Sequence, residues 1–454
     1  MTKKKQITKN TNNPPLMQAV INGDWDSFSE LIKTADVNER GQYGSNALIE
    51  TIYQKTKPVF AKMRHALLSH PKIKVDQADD FGMTAIGVAI VRNWDAVEEL
   101  LKANANPNTF TKVRLSRSYK NHCTADDTWR SVTLLSHAVY CDNLPLVQTL
   151  LKYGAKIDKI GSLDITPLSM ATRSNHIFLM KYLVEEANAH LEILPTNWKS
   201  FTSNRKKACP VALRKALKYG NADCVSYLIE KGTHIPQIIY RENQTYASPL
   251  TYVLSQQNTP LYAEKYIATA RAIMACTDYN LDFCDSDNRT ALSYAVQNGL
   301  ESLVPLLITP KNINMEDNSN LTPLGHAVLN FVSAKTTQLL LDKGANPNIL
   351  MPSIINLQDE EIAKETISTI PLIHYALRIN NNTLVNQLLQ KGVNLLWEDK
   401  NGNTVLNYLS SKQPASLRNK IVYCYFKQKA TLQKNTTPLD VAICKKLKER
   451  IRND

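Results

Sequence analysis

Two stretches of this 454-residue chain hold side chains capable of nucleophilic chemistry. Cys123 follows His122, with Asp126 and Asp127 close behind. A thiol, a base and carboxylates to orient that base are the groups a cysteine nucleophile needs. Cys209 is a second thiol, two residues after the basic run Arg205-Lys206-Lys207. Residues adjacent in a loop do not usually face one another, and a loop positions a reacting pair poorly. The familiar catalytic signatures GxxxxGK[ST], GxGxxG, HExxH and GxSxG are all absent, which removes the commonest phosphate, dinucleotide, zinc-protease and hydrolase chemistries. The eight cysteines are scattered with no CxxC pair, so reduced thiols in a cytosol-like compartment fit better than a disulfide framework. A cysteine-dependent enzyme stays as one alternative, with no catalytic residue, metal ligand or cofactor assigned.

Binding chemistry is better represented. In residues 109–132, Lys112, Arg114, Arg117, Lys120 and Arg130 are interleaved with Phe110, Tyr119 and Trp129. Aromatic and arginine side chains are the types that carry binding energy at interfaces. The same aromatics would equally serve to pin a long loop onto its neighbours. Residues 193–210 repeat the mixture with Trp198, Phe201, Arg205, Lys206 and Lys207. Such a combination can also hold single-stranded nucleic acid, the second alternative. A third stretch, 349–370, is acidic instead, with Asp359, Glu360 and Glu361 reading as a short helix. Basic and acidic stretches along one edge would discriminate partners by charge. The net charge of +13 is likewise uneven: residues 193–222 hold seven Lys or Arg and no acid. Residues 412–454 hold eleven basic residues against three acidic ones.

The elements that position these stretches follow from one segment, residues 322–348, TPLGHAVLNFVSAKTTQLLLDKGANPN. Thr322 is suited to cap a helix, and Pro323 is tolerated in a first turn. Ala327 and Val328 suit close helix contact, and Leu339-Leu340-Leu341 marks a second helix. Gly344 ends that helix in the left-handed conformation. Asn346-Pro347-Asn348 is turn chemistry. Equivalent starts occur at Pro15, Asn46, Thr84, Thr133, Thr166, Val211, Ser248, Thr290, Pro371, Thr404 and Thr437. Thr133 to Thr166, Pro371 to Thr404 and Thr404 to Thr437 are each 33 residues.

A 33-residue unit with a TPLHxA start followed by a GADVN-like loop resembles the ankyrin-repeat family. The resemblance covers nearly the whole chain from about Pro14, with His374 on the family's histidine position. It implies an all-α solenoid of about 11–12 helix-turn-helix repeats with hairpin finger loops. Residues 1–13 are expected to be a disordered basic tail and residues 14–454 the array, with a capping helix from residue 437. Where the period stretches, near 109–132, 193–210 and 349–370, the fingers should lengthen, and 262–276 should form a longer helix. His137, His326 and His374 are expected to bond neighbouring loops.

By resemblance the function is non-enzymatic protein recognition, through the concave face and the fingers. The candidate contact residues are Phe110, Lys112, Arg114, Arg117, Tyr119, Lys120, Trp129, Arg130, Trp198, Arg205, Lys206, Lys207, Asp359, Glu360 and Glu361. The partner is expected to be a protein, with a monomeric chain, no cofactor and no membrane span. The many Asn, Lys and Ile residues resemble ankyrin proteins of intracellular bacteria, secreted to bind host proteins. The location expected is cytoplasmic, extending to a host cell. Lys3, Lys4 and Lys5 or Arg205-Lys206-Lys207 would serve nuclear entry. In a eukaryotic cytosol, Asn38, Asn108 and Asn348 resemble positions hydroxylated in the family.

Overall fold

The computed structural model describes residues 13–54, 58–92, 94–114, 129–196, 208–240, 245–256, 263–276, 280–352 and 369–432. The chain divides into two compact units, Met1–Pro236 and Gln237–Asp454. Among the described residues the first contains six helix pairs: α1 (Pro15–Asn22) with α2 (Trp25–Leu31), α3 (Ala47–Tyr53) with α4 (Pro58–Leu68), α5 (Ala85–Arg92) with α6 (Asp95–Lys102), α7 (Leu134–Tyr140) with α8 (Leu144–Lys152), α9 (Pro167–Ser174) with α10 (Ile177–Glu185), and α11 (Val211–Tyr219) with α12 (Ala222–Glu230). An antiparallel hairpin, β1 (Phe110–Arg114) and β2 (Trp129–Thr133), joins the third pair to the fourth.

The second unit opens with a short hairpin, β3 (Ile239–Tyr240) and β4 (Tyr246–Ala247). Four helix pairs follow: α13 (Pro249–Ser255) with α14 (Ala263–Cys276), α15 (Ala291–Gln297) with α16 (Val304–Leu307), α17 (Pro323–Leu329) with α18 (Ala334–Asp342), and α19 (Leu372–Arg378) with α20 (Asn382–Gln390). The hairpin β5 (Leu350–Pro352) and β6 (Thr369–Pro371) precedes α19. A 3-10 turn over Val405–Tyr408 and the 18-residue α21 (Ala415–Leu432) complete the described residues.

Most first helices of the pairs start where the sequence places a small oxygen-bearing residue, while α1, α11 and α19 follow a proline instead. Thr322 Oγ1 accepts the N–H of Gly325 at 3.2 Å, and Pro323 follows it. Thr133, Thr166, Ser248 and Thr290 cap α7, α9, α13 and α15 in the same way, and Asn46 caps α3. Such a cap contributes about 1 kcal/mol relative to alanine. Gly344 takes φ 101° just beyond α18, as expected. The first helix of a pair is buried all round, as Pro323–Val328 of α17 are, by its partner helix and the neighbouring repeats together. Ala327, Leu340 and Leu341 pack with residues of the repeats on either side, including Leu292, Leu303, Leu384 and Leu388. No pair forms a closed core alone, so stability passes from repeat to repeat.

Polar ties run parallel to this packing. Asn38 donates to Lys72 O at 2.8 Å and accepts from Lys74 N–H at 2.7 Å. Asn108 does the same to Gly154 O and Lys156 N–H, and Asn314 to Gly344 O and Asn346 N–H. Asn348 accepts from Asn394 N–H at 2.7 Å. Each loop asparagine therefore uses its amide to hold the loop of the following repeat.

One expectation changes in detail and another is met. The Thr404 copy begins with a single 3-10 turn, because Leu409-Ser410-Ser411 leads into a polar turn in which Gln413 Oε1 accepts the N–H of Ser410. The longer helix expected over 262–276 is α14, whose described part begins at Ala263. The expected basic tail, apart from Asn13, and the capping helix from residue 437 lie outside the described residues. Asn13 Oδ1 accepts the N–H of Gln42. Among the described residues no helix is long and apolar enough to cross a membrane.

Candidate recognition surface

Fingers of two constructions lie between the helix pairs. In the short kind an aspartate ties the tip. Asp317 Oδ1 accepts the N–H groups of Ser319 and Leu321 at 2.8 and 3.1 Å. Its Oδ2 accepts from Arg289 Nε at 2.9 Å and bonds His326 Nε2 at 2.8 Å. Asp79, Asp285 and Asp399 make the same pair of backbone bonds at their tips. A ring nine residues further on bonds the other carboxylate oxygen: Tyr294 on Asp285, His326 on Asp317 and Tyr408 on Asp399. Burial pushes the Asp317 carboxyl up, but the N–H of Leu321, the His326 ring and the N–H of Ser319 outweigh it and hold the group below its ordinary value. The carboxylates of these fingers are thus used up by bonds within the repeat and its neighbour.

The hairpin fingers are built differently. The β1–β2 register pairs Thr111 with Val132 and Val113 with Arg130 on one face, and Phe110 with Thr133 and Lys112 with Ser131 on the other; Arg114 is the register partner of Trp129. Thr111, Val113 and Val132 are buried, and Thr111 Oγ1 donates to Gly87 O at 2.7 Å. Gly87 is required there: a Cβ would lie 2.9 Å from Phe110 O. Gly161, in the next finger, similarly faces Ser131 O at 3.0 Å. The hairpin base is thus seated on both sides by close backbone contact.

The opposite face carries Phe110, 38 % exposed, and the partly exposed Lys112. Lys159 Nζ lies 4.8 Å from the Phe110 ring centre and donates to Asn108 O. Lys112 Nζ lies 6.0 Å from the ring of Phe81, the exposed tip residue of the preceding finger. Phe81 in turn lies 6.1 Å from Tyr43. Phe110 both contacts the neighbouring repeat and remains accessible.

The register separates Arg130 from Phe110 and Lys112, on the face shared with Val113. Arg114 and Trp129 are paired at the end of the described hairpin. Arg117, Tyr119, Lys120, Trp198, Arg205, Lys206, Lys207, Asp359, Glu360 and Glu361 lie outside the described residues, as do His122, Cys123, Asp126 and Asp127. On either side of the 193–210 insertion, Val211 N–H donates to Ile193 O at 2.8 Å.

The remaining chemistry candidates have structural roles. Cys209 is buried, and burial pushes its thiol up to about 12, the reverse of what a nucleophile needs. The expectation that the histidines bond neighbouring loops holds for His326. It fails for His374, whose two ring nitrogens have no partner; its ring instead stacks on Tyr408 at 4.7 Å. Burial pulls His374 and His137 down to about 4, so both are neutral at pH 7. The aspartate ties went unread in the sequence, although their signal is present: an Asp five residues before the capping Thr, with Tyr or His nine residues after that Asp.

A family model for ankyrin repeats matches residues 135–239 and 261–351, in three copies. Among solved structures, one similar chain comes from a predatory endopeptidase of Bdellovibrio bacteriovorus in complex with an immunity protein. It is 21% identical with a TM-score of 0.36, covering 48% of this chain and 99% of that one. Another is an ankyrin repeat domain from Acinetobacter baumannii, 22% identical with a TM-score of 0.35, covering 50% of this chain and 98% of that one. The matched stretches are ankyrin repeats, which indicate a protein-interaction scaffold, and the threonine-capped helix pairs and bridging loop asparagines are the local structure of those repeats.

Proposed function

We propose that the chain is a non-enzymatic scaffold that binds a partner protein through the face of its inner helices and its extended fingers. The observation that carries this reading is the β1–β2 hairpin. One of its faces is buried against the repeats, while the other presents Phe110 and Lys112 beside the exposed Phe81 and Tyr43. A rigidly seated hairpin that holds accessible aromatic and cationic groups limits the ordering cost of binding. In the same reading the partner is a host protein and the chain a bacterial effector, on the composition it shares with such proteins.

The test replaces residues 115–128 by Asn-Gly, the two-residue turn suited to joining the paired Arg114 and Trp129. Affinity purification from lysate compares this variant with wild type. Loss of specific partners with unchanged Tm is the expected result. An identical partner set would sink the finger reading. Recovery only of proteins from the producing bacterium, with none from a host lysate, would sink the effector reading.

A further inference from the structure

The inner helices of the first unit share a register in which one position follows the small residue of the helix by two. Down the six helices it reads Ile21, Tyr53, Val91, Tyr140, Arg173 and Lys218. All six side chains are exposed or half-buried. The row is apolar or aromatic on the first four helices and cationic on α9 and α11. On α11, Arg214 and Lys215 adjoin Lys218 and are also half-buried.

The two cationic helices are locked together. Thr172 Oγ1 donates to Ala212 O at 3.0 Å, and Asn221 Nδ2 donates to the carbonyls of Thr172 and Arg173. The Arg173 guanidinium carbon stands 5.2 Å from the Tyr219 ring centre, bridging α9 to the end of α11. The cations are therefore held on a fixed platform. Burial pulls Lys215 down to about 8, with Lys218, Arg173 and Arg214 acting in the same direction against the single opposing influence of Asp164. A bound anion would relieve this repulsion.

We propose that the α9–α11 face docks an acidic, carboxylate-rich stretch of a partner protein, with Arg173, Arg214, Lys215 and Lys218 as its counter-charges. Charge complementarity gives the acidic stretch, and the planar forks of Arg173 and Arg214 suit carboxylates. The rest of the row decides against a nucleic acid. A polyanionic backbone requires cations that continue along its path. Here the same position turns to Tyr140, Val91, Tyr53 and Ile21, with Arg92 standing 5.1 Å from the Tyr53 ring centre, and this mainly apolar path suits a polypeptide whose acidic stretch runs into apolar residues. The proposal rests on the protein-recognition reading and gives that partner its chemistry.

The experiment uses the full chain and a fluorescent synthetic peptide with a Glu/Asp half followed by a Leu/Phe half. A control peptide carries Gln and Asn for Glu and Asp, and a thymidine oligonucleotide is the third probe. The acidic peptide should bind, and the neutral one should bind at least about tenfold more weakly. Arg173→Glu and Lys218→Glu should each weaken the acidic peptide by at least about tenfold. Lys33→Glu makes the same charge change at an exposed site outside the row and should leave affinity within about twofold. Lys215→Gln serves as the folding control: it should lower affinity while Tm holds or rises, since it removes a half-buried cation from among like charges. Equal binding of the neutral peptide, equal damage from Lys33→Glu, tighter binding of the oligonucleotide or no peptide binding would each overturn the site. A partner set that still depends on residues 115–128 would, in that event, leave the recognition reading standing.

Discussion

The finger at Asp317 and the hairpin at residues 110–133 occupy equivalent places between helix pairs and solve the same problem differently. In the first, a carboxylate 1 % exposed collects two backbone N–H groups, an arginine and a histidine. Its polar groups are used within the repeat and its neighbour. In the second, strand pairing satisfies the backbone, and seating comes from Thr111, Val113 and Gly87. The outward side chains are left to other uses. The ring on the inner helix follows suit. His326 in the short-finger repeat has its carboxylate, whereas His374, in the repeat entered through β5–β6, has unpartnered nitrogens. The short fingers build the scaffold, and the hairpins place side chains on its edge.

The largest effect should come from breaking the short finger. Asp317→Ala leaves Arg289, the His326 ring and two backbone N–H groups without their acceptor. A loss of about 3–5 kcal/mol is expected in chemical denaturation. A loss below about 1 kcal/mol would show that the aspartate tie does not support the scaffold.

Next in size is the seat of the hairpin. Gly87→Ala puts a Cβ against Phe110 O and should destabilise by about 1–3 kcal/mol. Because the contact is with β1, amide exchange should rise in the β1–β2 strands more than in α1 and α2. Uniform protection across both regions would contradict the seating described.

Asn108→Ala removes a tie made in both kinds of repeat. Two bonds to the next loop are lost at an exposed site, so about 1–2 kcal/mol is expected.

The smallest effect at neutral pH belongs to His374→Phe, which keeps a ring against Tyr408 and removes two unpartnered nitrogens. It should lie within about 1 kcal/mol of wild type at pH 7. Its signature is in acid. The folded-state value of His374 is depressed to about 4, so the neutral ring's contribution is full above about 6.5 and is lost as pH falls toward 4. His137 behaves alike. Each loss can reach about 3 kcal/mol. The Phe variant should therefore keep more of its stability than wild type at pH 5. Superimposable pH–stability curves would contradict the burial described for this ring.

The repeat was legible in the sequence because its determinants are local. Thr322, Pro323, Ala327 and Gly344 each act within a turn or two, and a fixed period repeats them. The Asp317–His326 tie was missed because the nine-residue spacing has meaning only once the finger folds back over its helix. The α9–α11 platform was missed for another reason. Arg173 and Lys218 lie 45 residues apart in the chain, and only stacking of equivalent helices brings their positions into one row. The Thr404 copy misled in detail, since its start is regular while Ser410 and Gln413 form a turn where a helix would continue.

The central claim is that scaffold and specificity reside in different fingers. Its most direct test is quantitative partner capture by wild type, by the chain with Asn-Gly in place of residues 115–128, and by Asp317→Ala assayed at a temperature where it remains folded. The account predicts that the first change removes specific partners while Tm is unchanged, and that the second lowers Tm while the partner set is kept. A hairpin variant that keeps every partner, or an Asp317→Ala chain that is folded yet loses the same partners, would contradict it.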